Sequence, residues 1–204
     1  MSPNDPSSVR RELVRIGALA AQRGWVMATS GNFSAVISTA PLRVVVTPSG
    51  ADKGALSPEA LLEVDEHGAV IGPPATPSDE VPLHLGIVRR QGAGAVLHTH
   101  SRAATLLSRR HAAAHGLWLE DLEMLKALKG VRSHQHREWV PILDNLQDRP
   151  TLARALDQVL VEHPGAHAVL LRGHGLYAWG ADLREALRHL EALEFMLDVL
   201  AQEA

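Results

Sequence analysis

Apolar and polar positions along this chain repeat with two different periods. From Ser8 to about Arg23, Val9, Leu13, Ile16 and Ala20 recur at helical spacing, and Gly24 supplies a left-handed stop. The β-branched runs Ala35 to Ser38 and Arg43-Val44-Val45-Val46-Thr47 predict strands. Ser57-Pro58-Glu59 predicts a helix start with Ser57 as its cap. Leu61, Leu62 and Val64 lead into a strand, and Glu66-His67-Gly68 is a turn before Ala69-Val70-Ile71. Pro77-Ser78-Asp79-Glu80 opens another helix, with Ser78 as cap, acids in the first turn and Leu83 and Ile87 on its buried side. Gly92 and Gly94 end it, and Gly94-Ala95-Val96-Leu97-His98-Thr99-His100 reads as a buried strand running out into two histidines.

The second half repeats these patterns. Ser101 to Arg110 predicts a helix, residues 111–119 irregular chain, and Glu120 to Leu128 a further helix with acids near its start. Trp139-Val140-Pro141-Ile142-Leu143 is strand-like. Leu152, Leu156, Val159 and Leu160 mark a helix ending near His163-Pro164-Gly165, and an apolar strand occupies 168–174. Asp182 and Glu185 form a capping box that opens a long amphipathic helix through Leu187, Leu190, Leu193, Leu197 and Leu200. The expected fold is α/β of the α+β type: a central, mostly antiparallel sheet flanked by helices, in one domain over 1–204 with residues 1–6 as a loose tail.

Composition narrows the function. At 204 residues, 46% hydrophobic and 21% charged, the chain suits one soluble domain. Its formal net charge of -3, without long single-sign blocks, argues against nucleic acid or an anionic membrane as partner. There is no cysteine, which excludes disulfides, thiolate metal sites and a cysteine nucleophile. The polar start, Met1 to Pro6, lacks the apolar core of a signal peptide, so a cytoplasmic enzyme is expected.

The chemistry gathers at the strand ends. Residues two apart on a strand share a face, so His98 and His100 can aim two imidazoles at one point. Ala168-Val169-Leu170-Leu171-Arg172-Gly173-His174-Gly175 repeats the design and offers a third. Three histidines with an open fourth position suit a catalytic zinc, although imidazoles also accept Mn, Fe, Co or Ni. His134 and His136 form a second His-x-His among charged neighbours, a lesser rival read as structural. The turn around Ser30, Gly31 and Asn32, and the turn Thr47-Pro48-Ser49-Gly50 with Lys53 behind it, are donor-rich and suit a phosphate. No Walker or Gly-x-Gly-x-x-Gly pattern is present, so a nucleotide is not implied.

Five motifs in order carry a resemblance. Ser30-Gly31-Asn32-Phe33-Ser34, Thr47-Pro48-Ser49-Gly50, Pro77-Ser78-Asp79-Glu80, His98-Thr99-His100 and Arg172-Gly173-His174-Gly175 resemble the class II aldolase/adducin family from about residue 8 to the end. The resemblance implies a class II aldolase-like three-layer architecture, zinc on His98, His100 and His174, and a ketose phosphate substrate. It implies phosphate binding by Ser30, Gly31, Asn32, Thr47, Ser49 and Gly50, with Ser78 as a further donor. Relatives are C4 tetramers with sites between subunits, so a homotetramer is expected. Thr47 to Gly54, Glu123-Met124-Leu125-Lys126 and Leu176 to Gly180 point within the family to the branch that dehydrates methylthioribulose 1-phosphate in methionine salvage.

A fuculose-phosphate-like aldolase is the alternative. In family aldolases a glutamate matching Glu80 is the acid/base group; in the dehydratases one matching Glu123 is. Such a role calls for a partly desolvated Glu123 whose pKa rises towards neutrality. Asp79 departs from the aldolases' Pro-Ser-Ser-Glu, and its carboxylate would repel phosphate at that turn. Family aldolases and epimerases also use a tyrosine donor. The only tyrosine here is Tyr177, read as a packing residue, which favours the dehydratase.

Overall fold

The computed structural model describes residues 5–203. The first four residues of the expected tail lie outside that range; Asp5 and Pro6 do not form a tail at all. Asp5 caps the first helix, α1 (Pro6–Gln22), by accepting from the Ser8 amide. The strands follow as β1 (Asn32–Thr39), β2 (Leu42–Val46), β3 (Leu62–Val64) and β4 (Val70–Ile71). After α2 (Val81–Gln91) come β5 (Ala95–Thr99), α3 (Arg102–Arg110), β6 (Gly116–Leu119) and β7 (Glu138–Leu143). The chain closes with α4 (Arg149–Glu162), β8 (Ala168–Leu171), β9 (Gly175–Gly180) and α5 (Leu183–Gln202).

The nine strands form one sheet in the order β4-β3-β2-β1-β5-β9-β8-β7-β6. Among the described residues, only the β7–β8 pair is parallel. Period-two alternation sorts each central strand between two layers. Ala95 and Leu97 of β5, Leu170 of β8 and Leu176 and Ala178 of β9 pack with α1, α3 and α5. Val96, Val169, Leu171, Tyr177 and Trp179 face the other way, against Leu83 and Ile87 of α2 and Leu152, Leu156 and Leu160 of α4. His98 shares the parity of Val96, so its imidazole emerges on the α2/α4 side, at the end of the sheet where β5 runs out and β9 begins.

Four sequence expectations are corrected. Ser57 caps no α-helix: Pro58–Ala60 is a single 3-10 turn, and the Ser57 side chain makes no capping bond. Residues 111–119 are not all irregular, because Gly116–Leu119 pairs with β7 as an edge strand. Glu120 to Leu128 is not a helix; only Glu123–Ala127 turns, as a 3-10 segment. Leu125 and Leu128 are buried in the main core, so tertiary packing overrides helix propensity. Finally, α2 starts at Val81 with Glu80 in the cap position; Ser78 instead accepts the Glu80 amide. Asp79 and Glu80 thus precede the helix rather than fill its first turn.

Candidate metal and catalytic site

His98, His100 and His174 are brought together as expected. His98 Nε2 lies 2.8 Å from His100 Nε2 and 3.3 Å from His174 Nε2. His98 Nδ1–H donates to the Leu176 carbonyl over 3.0 Å, and His174 Nδ1–H to Asn145 Oδ1 over 3.3 Å. Their Nε2 atoms therefore present lone pairs, which cannot hydrogen-bond each other. A cation resolves this crowding: ligands about 2.0–2.1 Å from a tetrahedral zinc stand about 3.3 Å apart. Burial, reinforced by the neighbouring imidazoles, holds His98 well below the ordinary histidine pKa. Burial, then His174, depresses His100 to about 4, and burial lowers His174 as well. All three are neutral at neutral pH, as metal ligation requires. The residues fit the expected metal.

Glu80 completes the group. Oε2 lies 3.3 Å from His98 Nε2 and Oε1 lies 3.6 Å from His174 Nε2. Oε1 is buried without a hydrogen-bond partner, while Oε2 accepts from Asn32 Nδ2 over 2.7 Å. Dipole complementation alone, the simpler reading of an acid at a helix start, does not describe a carboxylate turned into an imidazole cluster. Behind it runs a buried relay. Asn32 Oδ1 accepts from His84 Nε2–H, and His84 Nδ1 accepts from the Ser34 hydroxyl over 2.7 Å. Burial holds the His84 pKa down to about 4, so the ring is neutral. Tyr177 stacks on His98 with centroids 3.9 Å apart and planes 11° apart. Its hydroxyl, kept protonated by burial and the adjacent Glu80 carboxylate, faces Glu80 without completing a well-formed hydrogen bond.

His84, Ser34 and Asn145 were not anticipated. A signal existed for two of them: His84 stands one helical turn after Glu80, and Ser34 shares a strand face with Asn32. Asn145 carries no such signal, because it enters from the β7–α4 connection.

The donor-rich turns meet beside this group. Ser49 N–H donates to the Thr76 carbonyl over 3.1 Å, and Pro48 bridges Pro77. Gly31, at φ +72°, has no room for a side chain: a Cβ would come within 2.6 Å of the His98 carbonyl. Ser30 Oγ is buried without a partner, and Ser78 Oγ accepts from both Asn32 Nδ2 and Glu80 N, leaving its own proton free. Ser49 and Gly50 are exposed. Three other side chains already have partners. Asn32 spends its amide as described, and Thr47 Oγ1 accepts from Phe33 N–H. Lys53 Nζ, lowered in pKa by burial, donates to the Thr29 and Ala51 carbonyls over 2.7 and 2.8 Å and so straps the first two turns together.

Glu123 is not brought to the histidines within this chain. Its side chain is 70% exposed, pairs with Lys126 and lies 3.9 Å from His134. The Lys126 hydrogen bond holds it below the ordinary carboxylate range, opposite to the expected rise. His136 binds Glu138 over 2.9 Å, so the second His-x-His has structural partners and, among the described residues, joins no metal-holding group.

A family model for the class II aldolase and adducin N-terminal domain matches residues 11–201. A methylthioribulose-1-phosphate dehydratase of Methylococcus capsulatus is 48% identical over 92% of this chain and 90% of its own length. One from Sorangium cellulosum is 44% identical over 94% and 91%. Among solved structures, the L-fuculose-1-phosphate aldolase of Thermus thermophilus is 30% identical, covers 97% of this chain and 93% of its own, and superimposes with a TM-score of 0.75. YgbL from Klebsiella pneumoniae reaches a TM-score of 0.80 at 27% identity, covering 95% of this chain and 88% of its own.

Proposed function

The chain belongs to the class II aldolase and adducin family, and from that premise we propose that it dehydrates 5-methylthioribulose 1-phosphate to 5-methylthio-2,3-dioxopentyl phosphate, a step of methionine salvage. The carrying observation is the near-full-length similarity to the dehydratases combined with an intact His98–His100–His174 group. His98, His100 and His174 would hold one zinc ion, which supplies Lewis acidity towards a carbonyl and adjacent oxygen. The Glu80 Oε1 atom, buried and unpartnered, is the base this chain sets beside that centre, and Asn32 fixes its orientation. Ser30, Gly31, Ser49, Gly50 and Ser78 offer the free donors for the phosphate. Asn32, Thr47 and Lys53 contribute by holding the turns and by keeping a positive charge nearby. Asp79 is exposed, so the like-charge contact at that turn is screened.

Removal of the C3 proton and loss of the C4 hydroxyl as water give an enol that becomes the diketone. Glu123 is assigned the proton delivered to the leaving hydroxyl. Because it is exposed in the single chain, this role requires a second copy to bring it to the histidines, as in the homotetramer proposed here. No helix among the described residues is long and apolar enough to cross a membrane, in keeping with the cytoplasmic location proposed for this enzyme.

The alternative is a sugar-phosphate aldolase working through Glu80. It is supported by the fuculose-phosphate aldolase neighbour and by Glu80's position at the histidines. Incubating the zinc-loaded protein with methylthioribulose 1-phosphate tests both: a diketone supports dehydration, whereas an aldehyde plus a three-carbon phosphate overturns it.

A further inference from the structure

Between β6 and β7 the chain makes an excursion, residues 120–137, that carries Glu123. Its return is tied by a buried ionic network separate from the metal group. Glu138, at the start of β7, uses both oxygens. Oε2 accepts from His136 Nε2–H over 2.9 Å; Oε1 accepts from His167 Nδ1–H over 2.9 Å and from the His167 backbone N–H over 3.3 Å. The other ring nitrogen of His167, Nε2, lies 3.0 Å from the Lys129 carbonyl oxygen. Both nitrogens of His167 face acceptors only, so both carry a proton and the ring is an imidazolium.

His189, on α5, is its counterpart at a centroid distance of 5.0 Å. Its Nδ1–H donates to the Trp179 carbonyl over 2.7 Å, and its Nε2 accepts from the Lys129 amide over 3.0 Å. That ring is neutral, and burial lowers its pKa. Lys129 is therefore gripped at both its N–H and its C=O by two histidines from elements outside the excursion, six residues after Glu123.

We propose that His167, clasped between Glu138 and the Lys129 carbonyl, is a positioning residue for the reaction: it holds the excursion that presents Glu123. The proposal rests on the reading of Glu123 as the acid given above.

Electrostatics agree with the geometry. Burial opposes the charge on His167, but the Glu138 hydrogen bond and charge, the Lys129 carbonyl and Glu185 on α5 together raise its pKa. His189 packs edge-on against it, the Lys129 ammonium stands 3.5 Å from Glu185, and His136 lies on the far side of Glu138. Since the folded value is raised, the clasp is complete below the unfolded histidine pKa of about 6.5 and opens as pH rises through the folded value.

The test uses the full-length, zinc-loaded protein and methylthioribulose 1-phosphate. His167→Gln should lower kcat about 10- to 100-fold by displacing Glu123. KM and zinc content should stay unchanged, and an alkaline limb present in the wild-type kcat profile should be lost. Amide exchange across residues 120–131 should quicken in the variant, and exposed His67→Gln should behave as wild type. Equal kcat and equal pH profiles overturn the proposal even if exchange quickens, because the clasp is then only structural. Should the variant fail to fold, ¹⁵N NMR of the wild type decides: a ring protonated at both nitrogens near pH 6, with exchange protection of 120–131 lost as it titrates, supports the clasp, and a neutral ring overturns it. A wild type inert towards this substrate but active as an aldolase sinks the dehydratase reading and the catalytic role of the clasp with it, whereas the exchange and NMR results still report the clasp itself.

Discussion

Asn32 Nδ2 donates to Glu80 Oε2 over 2.7 Å, and the pairing of β1 with β5 puts Asn32 directly opposite His98 of the histidine cluster. One amide thus ties the proposed base, Glu80, to the strand that carries two of the clustered histidines. Its other end is occupied by His84, so the amide cannot rotate without breaking a buried bond. Asn32→Ala should lower kcat about 10- to 100-fold, the range for losing an orienting partner at a metal site. Zinc content should remain near one per chain. Steady-state kinetics with metal analysis checks this, and an unchanged kcat would mean that Glu80 needs no orientation.

Metal binding should depend on the first pair of histidines and not on the second. His98→Ala should lose most zinc and all turnover. His134→Ala should keep both, since His134 lies in the exposed neighbourhood of Glu123. Loss of zinc from His134→Ala alone would show that the wrong pair had been assigned.

The two carboxylates should separate in kinetics. A positioned acid or base contributes about 100- to 10,000-fold, so Glu80→Gln and Glu123→Gln should each lower kcat by at least the low end of that range. Zinc should be retained in both, and Glu120→Gln, whose carboxylate pairs with Arg137, is the near-neutral control. Full activity in Glu123→Gln with none in Glu80→Gln would make the aldolase reading the better one. Glu123→Gln should further complement a His98→Ala chain in mixed oligomers, because a site built from the histidines of one variant and Glu123 of the other is intact, both lesions falling together in the reciprocal site.

At the turns proposed to bind phosphate, Ser49→Asp places a negative charge beside exposed donors and should raise KM for the phosphorylated substrate without changing zinc content. A KM equal to wild type would leave the Thr47–Gly50 turn with a purely structural role.

Stability of the metal-free protein should fall on acidification. His84 is buried and neutral with a pKa of about 4, against about 6.5 when unfolded. Between those values the unfolded chain binds the proton first, so stability drops as pH falls from about 6.5 towards 4, by up to about 3 kcal/mol for this group alone. His84→Gln cannot titrate and should flatten the curve. Urea unfolding at a series of pH values measures the slope; equal slopes in wild type and variant would refute the assignment.

Much of this arrangement is local and could be read from the chain before its fold was known. Period-two spacing put His98 and His100 on one face; the cap pair Asp182 and Glu185 announced α5; glycine marked the turn at Gly31. Each depends on residues within one turn or strand, where backbone geometry acts directly on spacing. Even the capping box shows the limit: Glu185 accepts from the Ala181 amide rather than from that of Asp182. Tertiary structure decided the rest. His98 meets His174 across 76 positions, and Asn32 meets Glu80 across 48. Local spacing has no information about which side chains such distant segments bring into contact. The Glu120–Leu128 segment has helical character of its own, yet burial of Leu125 and Leu128 in the main core against α5 leaves it a short 3-10 turn with Glu123 facing solvent. Hydrophobic burial outweighs the fraction of a kilocalorie per residue, at most about 1 kcal/mol, that separates ordinary helix propensities. Where Glu123 ends up was therefore set by the core beneath it.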